Sequence, residues 1–242
     1  NTIFNEDCDK QAGQEEGCHR MNESSEKKMS RRKVLAYAGL GAAAFTTARV
    51  ASNVAAHLPE SRTARLAMVV DLRRCTGCHA CSVSCKSEFD VPLGVYRSWV
   101  KIGEEGTYPQ VKRSILPRLC NQCDNPPCVK VCPVNATYIH ATGVVAIQEN
   151  VCIGCKACIS ACPYNARFFN PVKRTADKCD FCLHRVENGV VPSCVNGCPA
   201  EARMIGDLND QKSTVSRVIA KQATIVLKPE LGTRPHVFYL PA

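Results

Sequence analysis

Aromatic residues are scarce in this 242-residue chain, 6% of the total with a single tryptophan. That supply is too small for a large aromatic core or a base-stacking surface. A phosphate loop, a dinucleotide fingerprint and a Ser/His/Asp constellation are all missing, so nucleotide chemistry and acyl transfer find no machinery here. No apolar stretch reaches 18 residues, and a helix needs about 20 to cross a bilayer. Hydrophobic content of 45% excludes wholesale disorder. Cysteine is what the chain has in excess. Of 18 cysteines, sixteen lie between Cys75 and Cys198, a density that calls for disulfides, zinc or iron–sulfur clusters.

The formal charge of +9 divides unevenly along the chain. Residues 1–28 carry a net −3, residues 29–56 a net +4, and residues 57–242 a net +8. A 4Fe–4S cube with four thiolates carries about −2, so four of them bring the body close to neutrality. The basic excess then reads as a counter-charge to buried anions, not as a nucleic-acid face.

Three segments follow from this division. Residues 1–28 are an acidic extension, either upstream of the true start or assigned to the chain too early; Cys8 and Cys18 within it have no assigned role. Residues 29–56 read as a twin-arginine export signal: Ser30-Arg31-Arg32-Lys33-Val34-Leu35, an apolar run from Val34 to Ala48, then small residues. Passage in the folded state suits a protein whose cofactor is inserted before export. The expected location is the periplasmic side of the cytoplasmic membrane. Residues 57–242 form the domain proper.

Four cysteine groups occupy that domain. They are Cys75, Cys78, Cys81 and Cys85; Cys120, Cys123, Cys128 and Cys132; Cys152, Cys155, Cys158 and Cys162; and Cys179, Cys182, Cys194 and Cys198. Three cysteines at two-residue intervals lie on one tight loop and can grip three corners of a cubane cluster. The fourth, three residues on, is expected to start a helix and reach a second cluster. Proline follows it in three groups, as Pro133, Pro163 and Pro199, which fits a first helical turn. Disulfides between such close neighbours would staple almost nothing. Zinc remains open for the fourth group, whose spacing alone also fits a zinc ribbon. Every proposed site is filled by sulfur, so the chain reads as a one-electron conductor, not as a catalytic body.

The stretches Asp71 to Cys85, Leu116 to Cys128, Thr175 to Cys179 and Val226 to Leu240 resemble the four-cluster iron–sulfur subunits of bacterial molybdopterin oxidoreductases. The likeness is greatest to the branch that serves tetrathionate reduction. A branch linked to nitrite reduction shares the cysteine pattern but looks less similar in the second group. The resemblance implies exchanged fourth ligands. Cluster 1 takes Cys75, Cys78, Cys81 and Cys198; cluster 2 takes Cys85, Cys179, Cys182 and Cys194. Cluster 3 takes Cys120, Cys123, Cys128 and Cys162; cluster 4 takes Cys132, Cys152, Cys155 and Cys158. It also implies two partners, a molybdopterin catalytic subunit and a quinol-oxidising membrane anchor. A self-standing polyferredoxin is the competing reading.

The expected fold is α+β: two ferredoxin-like modules nested in one domain, with short helices and small antiparallel hairpins. The outer module takes residues 66–118 and 172–242, the inner one 119–171. Hairpins are expected at Val95–Ile102 with Val111–Leu116, and at Thr137–His140 with Val144–Ile147. A strand is expected at Ala67–Leu72, a helix to about Lys221, and an apolar terminus, Val237–Leu240, packed on its own domain. Lys86, Lys130, Lys156, Arg73 and Arg74 are candidates for raising cluster potentials. Ile153, Ile159 and Val131 are candidates for excluding water.

Overall fold

The computed structural model describes residues 64–242. The export-signal reading and the acidic extension, with Cys8 and Cys18, lie outside the described residues. Within the described residues, nine strands and six short helices run in the order β1 (Leu66–Asp71), α1 (Ala80–Phe89), β2 (Ser98–Glu105), β3 (Lys112–Leu119), α2 (Pro127–Lys130), β4 (Thr137–Ile139), β5 (Val145–Ile147) and α3 (Ala157–Ser160). They continue with β6 (Arg167–Asn170), β7 (Thr175–Lys178), α4 (Leu183–Val186), α5 (Ser193–Asn196), β8 (Arg203–Asp207), α6 (Thr214–Lys221) and β9 (Val237–Leu240). The class is mixed α and β with small sheets. No helix among the described residues is long and apolar enough to cross a membrane.

The run Leu66-Ala67-Met68-Val69-Val70 is continuously apolar because β1 is covered on both faces. Met68 and Val70 join a core that contains Cys81, Cys120, Cys123, Cys179 and Cys194. Ala67 and Val69 face the other way, onto Val215 of α6 and Leu240. The strand is the centre of a three-stranded sheet. It pairs antiparallel with β8, Met68 opposite Ile205, and parallel with β9, Val70 opposite Tyr239. The apolar terminus is thus paired into this sheet, and the Tyr239 hydroxyl donates to Pro117 O at 2.9 Å.

Three two-stranded hairpins, β2–β3, β4–β5 and β6–β7, complete the strands. The β2–β3 hairpin begins and ends later than the sequence predicts. Its paired strands run to Glu105 opposite Lys112, so Gly103 lies within a strand and the bend falls beyond Glu105. A Cβ on Gly106 would sit 2.2 Å from Gln110 O, which places the tight approach there. The strand after Cys198 also differs from a local hairpin: β8 crosses back to pair with β1.

A second correction concerns the fourth cysteine of each group: Cys85 lies inside α1, and the other three follow short helices. Helices α2, α3 and α5 end just before Cys132, Cys162 and Cys198, so these cysteines close a helical turn and do not open one. The reason is local. Asn135, Asn165 and Glu201, three residues on, all have positive φ, at 53°, 52° and 44°. A left-handed residue there stops any right-handed helix after the proline.

Candidate metal centres

Each cysteine group winds its loop in the same way. The residue before the second cysteine is left-handed in all four: Gly77 (φ 74°), Gln122 (φ 47°), Gly154 (φ 68°) and Phe181 (φ 56°). That curl turns successive cysteines inward and aims backbone N–H groups at sulfur. Phe181 N donates to Cys179 Sγ at 3.4 Å, and Ala202 N to Cys198 Sγ at 3.3 Å. Gln122 is fully buried. It locks two loops together, its amide donating to Cys179 O at 2.7 Å and accepting from Val145 N at 2.8 Å.

Two cavities show which thiols meet. One, about 340 Å³ with its mouth, is lined by Cys75, Cys78, Cys81 and Cys198, together with Arg203. The other, about 320 Å³, is lined by Cys120, Cys123, Cys128 and Cys162, with Tyr164 and Arg167. Both bring a cysteine from a distant group against three from one loop. Cys85, Cys179, Cys182 and Cys194 are all buried. Burial, and then the neighbouring Cys194 and Cys182, push the Cys85 thiol up to about 12. Cys179 is raised well above its ordinary value by burial, then by Cys85 and Cys194. Cys152 and Cys158 pack beside Cys128, and Cys132 follows directly on α2, which packs on α3. The groups that hydrogen-bond Cys132 lie in its own loop. Burial raises its thiol, but amide donors from Thr137, Val134 and Ala136 outweigh that and hold it below the ordinary value.

These thiols fit an inorganic cube. All sixteen are free. Where burial and neighbouring sulfurs crowd them, as at Cys85, Cys123, Cys179 and Cys182, the thiols resist ionisation unless a cationic core stands between them. Among the described residues, no three His, Cys, Asp or Glu side chains close around a single ion.

The charges around the sulfurs differ from those expected. Lys86 donates to Val91 O and Pro92 O and lies over the Tyr96 ring. Lys156 lies over Phe169, Arg73 pairs with Asp71, and Arg74 with Glu201. Lys130 is exposed. Ile153 and Val131 are exposed too and exclude no water; only Ile159 packs inward. The buried cations are four others that the sequence pattern did not single out: Arg97, Arg167, Lys178 and Arg203. Arg97 is neutralised by Asp177 at 2.6 Å and Asp180 at 3.4 Å. A signal for two of the others exists. Arg167 and Arg203 each stand five residues after a fourth cysteine, and the same position in the second group is Thr137.

Free thiols grouped in fours, on loops curled toward them, define a multi-cluster iron–sulfur electron carrier. Comparison with known proteins gives the same class. A family described as "4Fe-4S dicluster domain" matches residues 111–208, and one described as "4Fe-4S binding domain" matches residues 73–91. One of the subunits of the tetrathionate reductase of Salmonella typhimurium is 50% identical over 181 residues, covering 73% of this chain and 72% of that protein. The arsenate respiratory reductase iron–sulfur subunit ArrB of a Shewanella species is 38% identical, covering 73% and 96%. Protein NrfC of Escherichia coli is 39% identical, covering 88% and 95%. The chain belongs to the family of iron–sulfur electron-transfer subunits of molybdopterin oxidoreductases, and its cofactors are four 4Fe–4S clusters.

Proposed function

We propose that the chain carries electrons between a quinol-oxidising membrane anchor and a molybdopterin catalytic subunit, in a respiratory reductase acting on tetrathionate or a related sulfur compound. The 50% identity to a component of tetrathionate reductase supports the substrate class. The bound cubes supply one-electron redox chemistry; the protein spaces them, dries them and sets the charge around them.

The ligand sets are Cys75, Cys78, Cys81 and Cys198; Cys85, Cys179, Cys182 and Cys194; Cys120, Cys123, Cys128 and Cys162; and Cys132, Cys152, Cys155 and Cys158. The outer pair and the inner pair form two nested ferredoxin-like modules. Packing of α1 on α5 and of α2 on α3 supports that nesting.

One observation carries the conductor reading. Among the sixteen cysteines only Cys78 and Cys155 are exposed, and they belong to the first and fourth sets. Cys194 of the second set neighbours Cys81 of the first. Cys179 of the second neighbours Cys120 of the third, and Cys128 of the third packs with Cys158 of the fourth. The order is therefore linear, with its two ends at the surface and its middle buried.

Purification from the native host under anaerobic conditions tests this. The expected result is co-elution with a molybdenum protein and about sixteen irons per chain; a lone monomer, or about twelve irons with one zinc, contradicts it. Export in the folded state by the twin-arginine route belongs to the same reading. It is supported by the Arg31-Arg32 pair, and replacing both with lysine is expected to leave the protein in the cytoplasm.

A further inference from the structure

Three cations are almost completely buried with no carboxylate partner: Lys178 at 2% exposure, Arg203 at 3% and Arg167 at 5%. Burying an unpaired charge costs several kcal/mol, and a guanidinium cannot escape by losing its proton. Something anionic must therefore face the two arginines, and the same would keep Lys178 an ammonium.

Their positions follow the order of the cysteine sets. Arg203 lines the cavity of the first set, and its Nη1 and Nη2 meet no acceptor at hydrogen-bond geometry. The negative groups they face are the sulfurs of Cys194, from the second set, and Cys81, from the first. The Lys178 ammonium donates to Cys179 O at 2.8 Å, beside the second set, and to Val145 O. Val145 lines the cavity of the third set. Arg167 lines that same cavity and donates to Cys128 Sγ at 3.0 Å. It also faces Cys158 of the fourth set. One cation thus stands at each of the three junctions. Arg97 is the contrast, since two carboxylates already neutralise it.

We propose that Arg203, Lys178 and Arg167 are interposed charges, each shared by two successive clusters, which raise both of their potentials and let neighbours be reduced together. This rests on the ligand sets proposed above. Each hop oxidises one cube and reduces the next by one electron, so charge moves along a row of anions. A fixed cation between two anions opposes their repulsion most strongly when both are reduced. In a dry interior that opposition is barely screened by salt. These are positioning residues for the electron, not catalytic ones.

The test is a redox titration of the full, cluster-loaded chain, followed by electron paramagnetic resonance at low temperature. Iron content is measured first: fewer than four clusters in the unmodified protein refutes the ligand sets, independently of the cations. In Arg203→Gln, two of the four potentials are expected to fall, changing the oxidised-to-reduced ratio of those clusters at fixed poise by about tenfold. Arg167→Gln is expected to move the other two. Lys178→Gln is expected to move one from each pair. Arg203→Lys is expected to restore the first pair. If Arg203→Gln fails to load clusters and Arg203→Lys loads them, charge is still the requirement. The inference is overturned by failure of both, by unmoved potentials, by an equal shift in all four, or by a Lys178→Gln variant that repeats the Arg203→Gln pattern.

Discussion

A thiol buried beside three others cannot ionise alone, and that simple fact governs the residue scale. Burial and its neighbours Cys120 and Cys128 push Cys123 up to about 12, and Cys182 stands equally high. The proposed second and third sets therefore depend on an inorganic core, and the core on its four sulfurs. Cys162 lines the cavity of Cys120, Cys123 and Cys128, not that of its own loop. Cys162→Ser is accordingly expected to damage the cluster gripped by the second group. Iron analysis with spectroscopy checks this, and loss confined to the cluster gripped by Cys152, Cys155 and Cys158 contradicts it. Gly154 carries a different constraint. Its φ is 68°, and a Cβ would lie 2.7 Å from Arg174 O. Gly154→Ala is expected to cost about 2 kcal/mol, read as a lower denaturant midpoint for the loaded protein. The cysteines were legible as letters in a pattern. The buried cations were not, because a Lys or Arg next to a ligand in sequence is no nearer to the cluster than its side chain allows. Arg203 is five residues from Cys198, yet lines its cavity; Lys86 adjoins Cys85, yet bonds away to carbonyls.

At the scale of elements, α2, α3, α4 and α5 have only four residues each. Such helices do not form alone in water; the loops that hold sulfur hold them. Longer α1 carries both Cys81 and Cys85, so in the proposed scheme one helix serves two sets. It is clamped by Glu88, which accepts from Arg185 at 2.9 Å and from Ser193, and bonds His184 at 2.8 Å. Ser193 and then His184 hold the Glu88 carboxyl down to about 2. A carboxylate with a depressed value stabilises above its ordinary value, 4.5, and loses that effect as pH falls toward 2. Glu88→Gln is expected to lower the urea midpoint at pH 7, and the gap to the native protein should stay constant down to about pH 5. A gap that closes before that point contradicts the clamp. The hairpin of Thr137–Ile139 with Val145–Ile147 was legible from the turn residues Ala141-Thr142-Gly143 between two short strand-like runs. The shift in β2–β3 was not, since alternation does not say where a bend falls.

At the scale of the whole molecule, the proposed row of clusters has an exposed cysteine at each end, Cys78 and Cys155, and a buried middle. Near the Cys155 end, Ile153 is 64% exposed, an apolar group left open to solvent and the kind of anchor that a docking face uses. Ile153→Ser, a neutral change, is expected to leave iron content and potentials intact while slowing electron exchange with the partner at that end by about tenfold. Stopped-flow reduction of the assembled complex reads this; equal rates would place the docking face elsewhere.

The cofactor class was determined by sequence alone, because x2 and x3 spacings are themselves geometric instructions to a short loop. The segmentation into four groups followed for the same reason. Which distant thiols meet, which cations are buried between them, and which sulfurs reach the surface were decided only in three dimensions. Those relations join residues up to 123 positions apart, as Cys75 and Cys198 lining one cavity, and no local pattern encodes a distance across the core.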